Sequence, residues 1–277
     1  NRIATISANG DEVIGNLVAT AVDAAGKDGA ITIQEARSVE TSLDLVEGFR
    51  LASGWAASAF VTDERTATAR YDKPLLLVTD EKIETVDQIL PVLEVVAREG
   101  RPLVIFAEEV EGQALAALIM NTVRGTMKVA AVKAPRYGEE RRGILQDLAT
   151  SIGATFVSRL TGMRVSETKL SDLGSSDKIE ITRYMTTIMG GKGDVDEIDN
   201  RINTLKSLLE DNDSLHECER LQDRITKLAS GVAVIRVGGA TEIEMIEKKH
   251  RIEDALEAVK SAQQEGIVAG GGTALVR

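Results

Sequence analysis

Few side chains in this sequence have the type and spacing that chemistry requires. An acid such as Asp254 becomes a catalytic base only where its surroundings mark it out. Here it lies opposite the apolar stripe of its predicted helix, so periodicity alone makes it a solvated surface acid like Glu253 and Glu257. The run Gly270-Gly271-Gly272 would let a backbone approach a phosphate, although a flexible turn is the commoner use of adjacent glycines. Gly190-Gly191-Lys192-Gly193 lacks both the spacing and the hydroxyl residue of a phosphate-binding P-loop, and reads as a connector between a hairpin and a helix. His216, His250 and the single Cys218 do not form a metal-ligand pattern. One cysteine also excludes an internal disulfide and fits a reducing compartment.

The remaining candidates are apolar. Glu84 to Arg98 is predicted helical, with Ile89, Val92, Leu93 and Val96 on one stripe, and Val86 and Leu90 widening it beyond an ordinary half-buried face. The next helix, Glu111 to Arg124, carries Leu115, Leu118, Ile119, Met120 and Val123 with few charges. A helix apolar nearly all round is either covered on every side or keeps a second face for a partner. Burial is the commoner reason in crossover folds, and flexible Met120 would suit a promiscuous groove. Trp55 and Phe60 sit in an Ala- and Gly-rich segment read as a loop, where an aromatic pair is either a core plug or a binding contact.

These candidates need elements to hold them. Ser7, Asn9 and Asp11 give a polar start to a helix running through Val13, Ile14, Leu17, Val18, Ala21 and Val22, ended by Gly26 and Gly29, with a strand at Ala30 to Ile33. From Pro74 strands alternate with helices: strands at Leu75 to Val78, Pro102 to Ala107 and Lys128 to Val132, helices between them, and a helix at Glu139 to Ser151. That alternation predicts parallel crossover units in an α/β fold. Thr155 to Val157 and an antiparallel pair within Ile179 to Met189 add strands. Asp194 to Ala229 is charged, with leucines and isoleucines at helical spacing, and predicts two antiparallel helices. Gly231 to Val237 reads as a strand and Thr241 to Gln263 as a helix.

The chain of 277 residues, 43% hydrophobic, is long enough for one large or two smaller cores, and 3% aromatics means aliphatic cores. A net charge of −11 argues against a phosphate-backbone binder, and no apolar run is long enough to span a bilayer. The chain opens on Asn1 in a polar segment without a signal-peptide pattern, as expected of a piece of a longer protein.

Several stretches together resemble the GroEL-type (group I) chaperonins. They are TISANGDE at Thr5 to Glu12, VEGF at Val46 to Phe49, LPVLEVVAREGRPLVIFAEEVEGQALAALIMNTVRG at Leu90 to Gly125 and KVAAVKAPRYGEERRGILQDLA at Lys128 to Ala149. KLASGVAVIRVGGATEIEMIEKKHRIEDAL at Lys227 to Leu256 and EGIVAGGGTALVR at Glu265 to Arg277 complete the match. The resemblance implies an apical polypeptide-binding domain at 48–231, with mixed sheets flanked by helices. It implies a smaller discontinuous α/β intermediate domain at 1–47 and 232–264, and a stub of the equatorial ATP-binding domain at 265–277. By the same resemblance Leu90, Leu93, Leu115, Ile119 and Met120, with Trp55 and Phe60, grip unfolded or partly folded polypeptides and a lid co-chaperonin. Asp254 falls on the catalytic aspartate, Gly271 on a nucleotide-contacting glycine, and Gly48 and Gly231 on hinges.

ATP and Mg²⁺ would serve the full-length parent, a homo-oligomeric ring in the cytoplasm, with an organelle matrix or a phage-infected host cytoplasm as alternatives, and none is expected on this chain alone. The alternative is a structural ring or scaffold protein without client binding. The chain departs from the family at Leu51 to Phe60: Ser53 replaces an Arg that would pair with Glu242 of a neighbouring subunit, and Ala59 replaces an aromatic. Ser230 replaces one hinge glycine.

Overall fold

The computed structural model describes residues 1–25, 30–36, 38–212, 214–229, 231–268, 270 and 273. The predicted helix-ending glycines Gly26 and Gly29, the replaced hinge position Ser230 and the predicted nucleotide contact Gly271 lie outside them. In chain order the elements are α1 (Arg2–Ser7), α2 (Glu12–Ala25), β1 (Ala30–Glu35), β2 (Ser42–Leu51), β3 (Ala69–Asp72), β4 (Leu75–Thr79) and β5 (Lys82–Ile83). Then come α3 (Val86–Glu99), β6 (Leu103–Ala107), β7 (Glu109–Val110), α4 (Gly112–Val123), β8 (Val129–Lys133), α5 (Gly138–Ile152) and β9 (Phe156–Val157). The last are β10 (Gly174–Ile181), β11 (Thr186–Gly191), α6 (Val195–Glu210), α7 (Leu215–Ala229), β12 (Gly231–Val237) and α8 (Glu242–Glu265). The fold is α/β, with mixed sheets flanked by helices.

The chain divides into two compact units, one of residues 1–46 and 231–277, the other of residues 47–230. In the first, β12 is flanked by β1 and β2, and the β1–β12 pair is parallel with Ala30 opposite Val232. Its core is Ala4, Ile14, Val18, Ala21, Ile235, Ile252 and Leu256. Ser7 closes the short α1, which the sequence reading missed, and Asn9 and Gly10 turn the chain with φ of 59° and 85°. Asp11 alone starts α2, its Oδ1 accepting from the Val13 and Ile14 amides at 2.9 and 3.1 Å.

In the second unit β4, β6 and β8 are parallel neighbours, and β9 pairs in parallel with the opposite side of β4. Strands β4 and β6 are buried at every position, which is why they read as unbroken Leu, Val, Ile and Phe. An antiparallel set of β2, β11, β10 and β3 joins this group where Ser175 of β10 faces Leu75 of β4. Helices α6 and α7 pack as a hairpin against α5, with Leu205, Leu221, Ile225 and Leu228 turned into the core.

Candidate polypeptide-binding face on two apolar helices

Helix α3 begins where Gln88 reaches back, its Oε1 accepting from the amides of Glu84 and Thr85 at 2.9 and 3.0 Å. It ends at Gly100, whose φ of 65° suits the left-handed cap. Between these caps the helix has two apolar faces. Ile89, Val92, Leu93 and Val96 are buried in the core. Leu90 is 44% exposed, and Val86, Pro91 and Val95 are half-buried.

Helix α4 packs against α3 and repeats the division. Ala114 and Leu118 are buried, Leu115 and Ile119 are half-buried against the core, and Met120 is 47% exposed. Val123, 70% exposed, extends the row by one turn. Its spacing of four from Ile119 and three from Met120 was the available signal for including it.

Burial of a leucine-sized side chain contributes roughly 1.5–3 kcal/mol. The inner rows of α3 and α4 obtain that from the core, whereas Leu90, Met120 and Val123 leave much of it unrealised. Apolar surface retained on two neighbouring helices is what a docking face for apolar chain requires.

Two of the predicted gripping residues need correction. Leu93 is 7% exposed, because it shares the inner row with Ile89 and Val96. Phe60 is 0% exposed and belongs to the core, and its carbonyl accepts from the Tyr71 hydroxyl at 3.2 Å. Neither side chain offers surface to a partner, so Phe60 is the core plug rather than the contact.

Trp55 is half-buried, and its indole Nε1 donates to the Ala67 carbonyl at 3.2 Å. Its segment lies along the edge of β8, where Trp55 bridges Val132 and the Ala56 amide donates to the Ala131 carbonyl at 2.8 Å. Gly54 lets the same segment pass the turn after β10, since a Cβ there would come within 2.1 Å of the Thr182 carbonyl oxygen. Ser53, at the position of the family's Arg, turns inward: its hydroxyl donates to the Lys133 carbonyl, and its own carbonyl accepts from Thr186 Oγ1 at 2.7 Å.

The other predicted sites lie elsewhere. Asp254 is an exposed carboxylate on α8, with its backbone carbonyl accepting from Ser7 Oγ at 3.2 Å. Glu242 is the exposed first residue of that helix. Gly48 faces Met189 across the β2–β11 pair, and Gly231 is the first residue of β12. Among the described residues no group of three or more His, Cys, Asp or Glu side chains could hold a metal ion.

Among the described residues no helix is long and apolar enough to cross a membrane. A model of the TCP-1/cpn60 chaperonin family matches residues 1–277, and the chain belongs to that family.

Proposed function

We propose that this chain, whose family has a chaperone role in protein folding, is the client-gripping part of a GroEL-type (group I) chaperonin subunit. Residues 47–230 act as the apical domain, and the outer rows of α3 and α4 hold non-native polypeptide through Leu90, Leu115, Ile119 and Met120. Trp55, on the segment along β8, adds an aromatic contact, while Leu93 sits in the inner row of α3 and Phe60 in the core. The observation that carries this reading is the exposure of Leu90 and Met120, 44% and 47%, on helices whose inner rows are already fully buried.

Client affinity then comes from many weak contacts. Burial of ~100 Å² of apolar area contributes roughly 2.5 kcal/mol. Several subunits of a ring holding one chain convert such contacts into useful avidity. The same face would take a lid co-chaperonin in competition with the client. ATP and Mg²⁺ bound by the full-length cytoplasmic ring would move the apical unit about Gly48 and Gly231, with Asp254 assisting hydrolysis.

The alternative of a structural ring protein rests on the burial of Leu93 and Phe60, since two of the seven predicted contacts are core. Binding of an alkylated, permanently unfolded polypeptide separates the two readings. A client-gripping chain binds it and loses binding in Leu90→Glu, whereas a scaffold binds neither way.

A further inference from the structure

The parallel strands of the second unit reverse their order once. The chain passes from β4 to β6 to β8 in one direction, then returns to place β9 on the other side of β4. In open α/β sheets the crevice beyond the carboxyl ends of strands at such a reversal is where ligands bind, because the two connections leave in opposite directions and open a gap. Asp80 follows β4 and Ser158 follows β9, so both sit at that point. A crevice of about 710 Å³ opens there, lined among others by Asp80, Glu81, Arg142, Ser158, Arg159 and Leu160.

Two arginines are fixed at this crevice by adjacent carboxylates. Asp80 Oδ2 accepts from Arg142 Nε at 3.2 Å and from the Ser158 hydroxyl at 2.9 Å. Glu81, its side chain 5% exposed, accepts from Arg159 Nε at 3.0 Å through Oε2 and from the Val165 amide at 3.3 Å through Oε1. Each acid therefore holds its arginine by the inner nitrogen. Among the described residues the terminal nitrogens of Arg159 have no partner, and its side chain is 66% exposed. Arg142 uses Nη1 on Glu139 at 2.6 Å, an acid 88% exposed, so that bond is screened by water and easily exchanged. Lys82, also on the lining, is already held by Glu84 at 3.0 Å and Glu111 at 2.5 Å.

A guanidinium oriented through Nε presents its remaining N–H groups as a planar fork, the shape that matches carboxylate and phosphoryl oxygens. We propose that this crevice binds a small, multiply charged oxyanion whose phosphoryl or carboxylate oxygens are taken by the terminal nitrogens of Arg159 and Arg142. The exposed Leu160 side chain lies at the same site and covers an apolar stem on such an anion. This ligand is separate from the polypeptide held by α3 and α4, and it does not depend on that reading.

The test titrates inorganic phosphate, and in a second arm citrate, into the isotope-labelled chain at constant ionic strength, following amide and arginine Nε signals. The expected result is saturable shifts at Ser158, Arg159 and Leu160 and at both arginine side chains. Tighter binding of phosphate assigns a phosphoryl ligand, and tighter binding of citrate a carboxylate one. Arg159→Gln weakens the tighter anion about tenfold, the loss of one charged fork. Leu160→Asp leaves both arginine–carboxylate pairs in place and adds a repelling charge at an exposed position, weakening binding about threefold. Shifts that never saturate, or that saturate equally in both variants, overturn the proposal.

Discussion

Asp147 Oδ2 accepts a 2.6 Å hydrogen bond from Arg224 Nε, and Asp147 Oδ1 accepts from Arg224 Nη2 at 2.9 Å and Arg201 Nε at 2.8 Å. One carboxylate on α5, 1% exposed, thus ties down an arginine from each helix of the α6–α7 hairpin. Gly143, one turn earlier, leaves room for the guanidinium, since a Cβ there would lie 2.8 Å from Arg224 Cζ. Removing one partner of a buried ion pair leaves the others uncompensated. Asp147→Ala is expected to cost about 3–5 kcal/mol, whereas Gly143→Ala, which pushes only the far end of Arg224 and gains helix propensity, should change stability by less than about 1 kcal/mol. Urea unfolding monitored by circular dichroism checks both, and an Asp147→Ala midpoint equal to that of the unaltered chain would contradict the tie.

The two faces of α3 predict opposite outcomes for neighbouring leucines. Leu93→Glu buries a charge in the inner row and is expected to lower stability by more than about 3 kcal/mol, or to abolish folding. Leu90→Glu changes an exposed position and should stay within about 0.5 kcal/mol of the unaltered chain. Thermal denaturation of the pair reads the difference, and equal losses would mean the helix has no outer face.

Tyr71 titrates late. Burial of its phenol, 4% exposed, pushes its pKa from an ordinary 10.0 up to about 12. The folded chain keeps the proton more tightly than the unfolded one. This contribution to stability is therefore whole below pH 10 and is lost as pH rises from there to about 12. Phenolate absorbance across that range should contain a late component that Tyr71→Phe removes. A curve unchanged by the substitution would place the late group elsewhere.

Asp254 should be dispensable for the fold. It is exposed on α8 and holds α1 only through its backbone carbonyl. Asp254→Ala is expected to alter unfolding free energy by less than about 0.5 kcal/mol. In the full-length ring the same variant should bind unfolded polypeptide normally and lose ATP turnover. Loss of both would make Asp254 structural.

Much of this organisation is legible in the residues. The β4 and β6 cores are unbroken apolar runs, and the Ile89-Val92-Leu93-Val96 row is the buried face of α3. Strand β2 was missed although Leu43, Leu45, Phe49 and Leu51 alternate, because Glu47 breaks that row and Val46 puts an apolar residue on the other face. The short α1 carries too few residues for a period to emerge. Spacing already put Leu93 on the inner row and Leu90 outside it, but it could not say whether Leu90's side is covered by another element. Packing in three dimensions settles that the outer side stays open. The partners of Asp147 stand 54 and 77 residues away in the chain, and no local pattern announces such a contact.

The central claim is that α3 and α4 keep an apolar face for non-native chain. Fluorescence anisotropy of a labelled, alkylated and permanently unfolded polypeptide titrated with this chain tests it most directly, with Leu90→Glu and Met120→Glu alongside. We expect saturable binding by the unaltered chain, and weakening of about tenfold or more in each variant while circular dichroism stays unchanged. Equal affinity for all three chains, or no binding by the unaltered one, would contradict it.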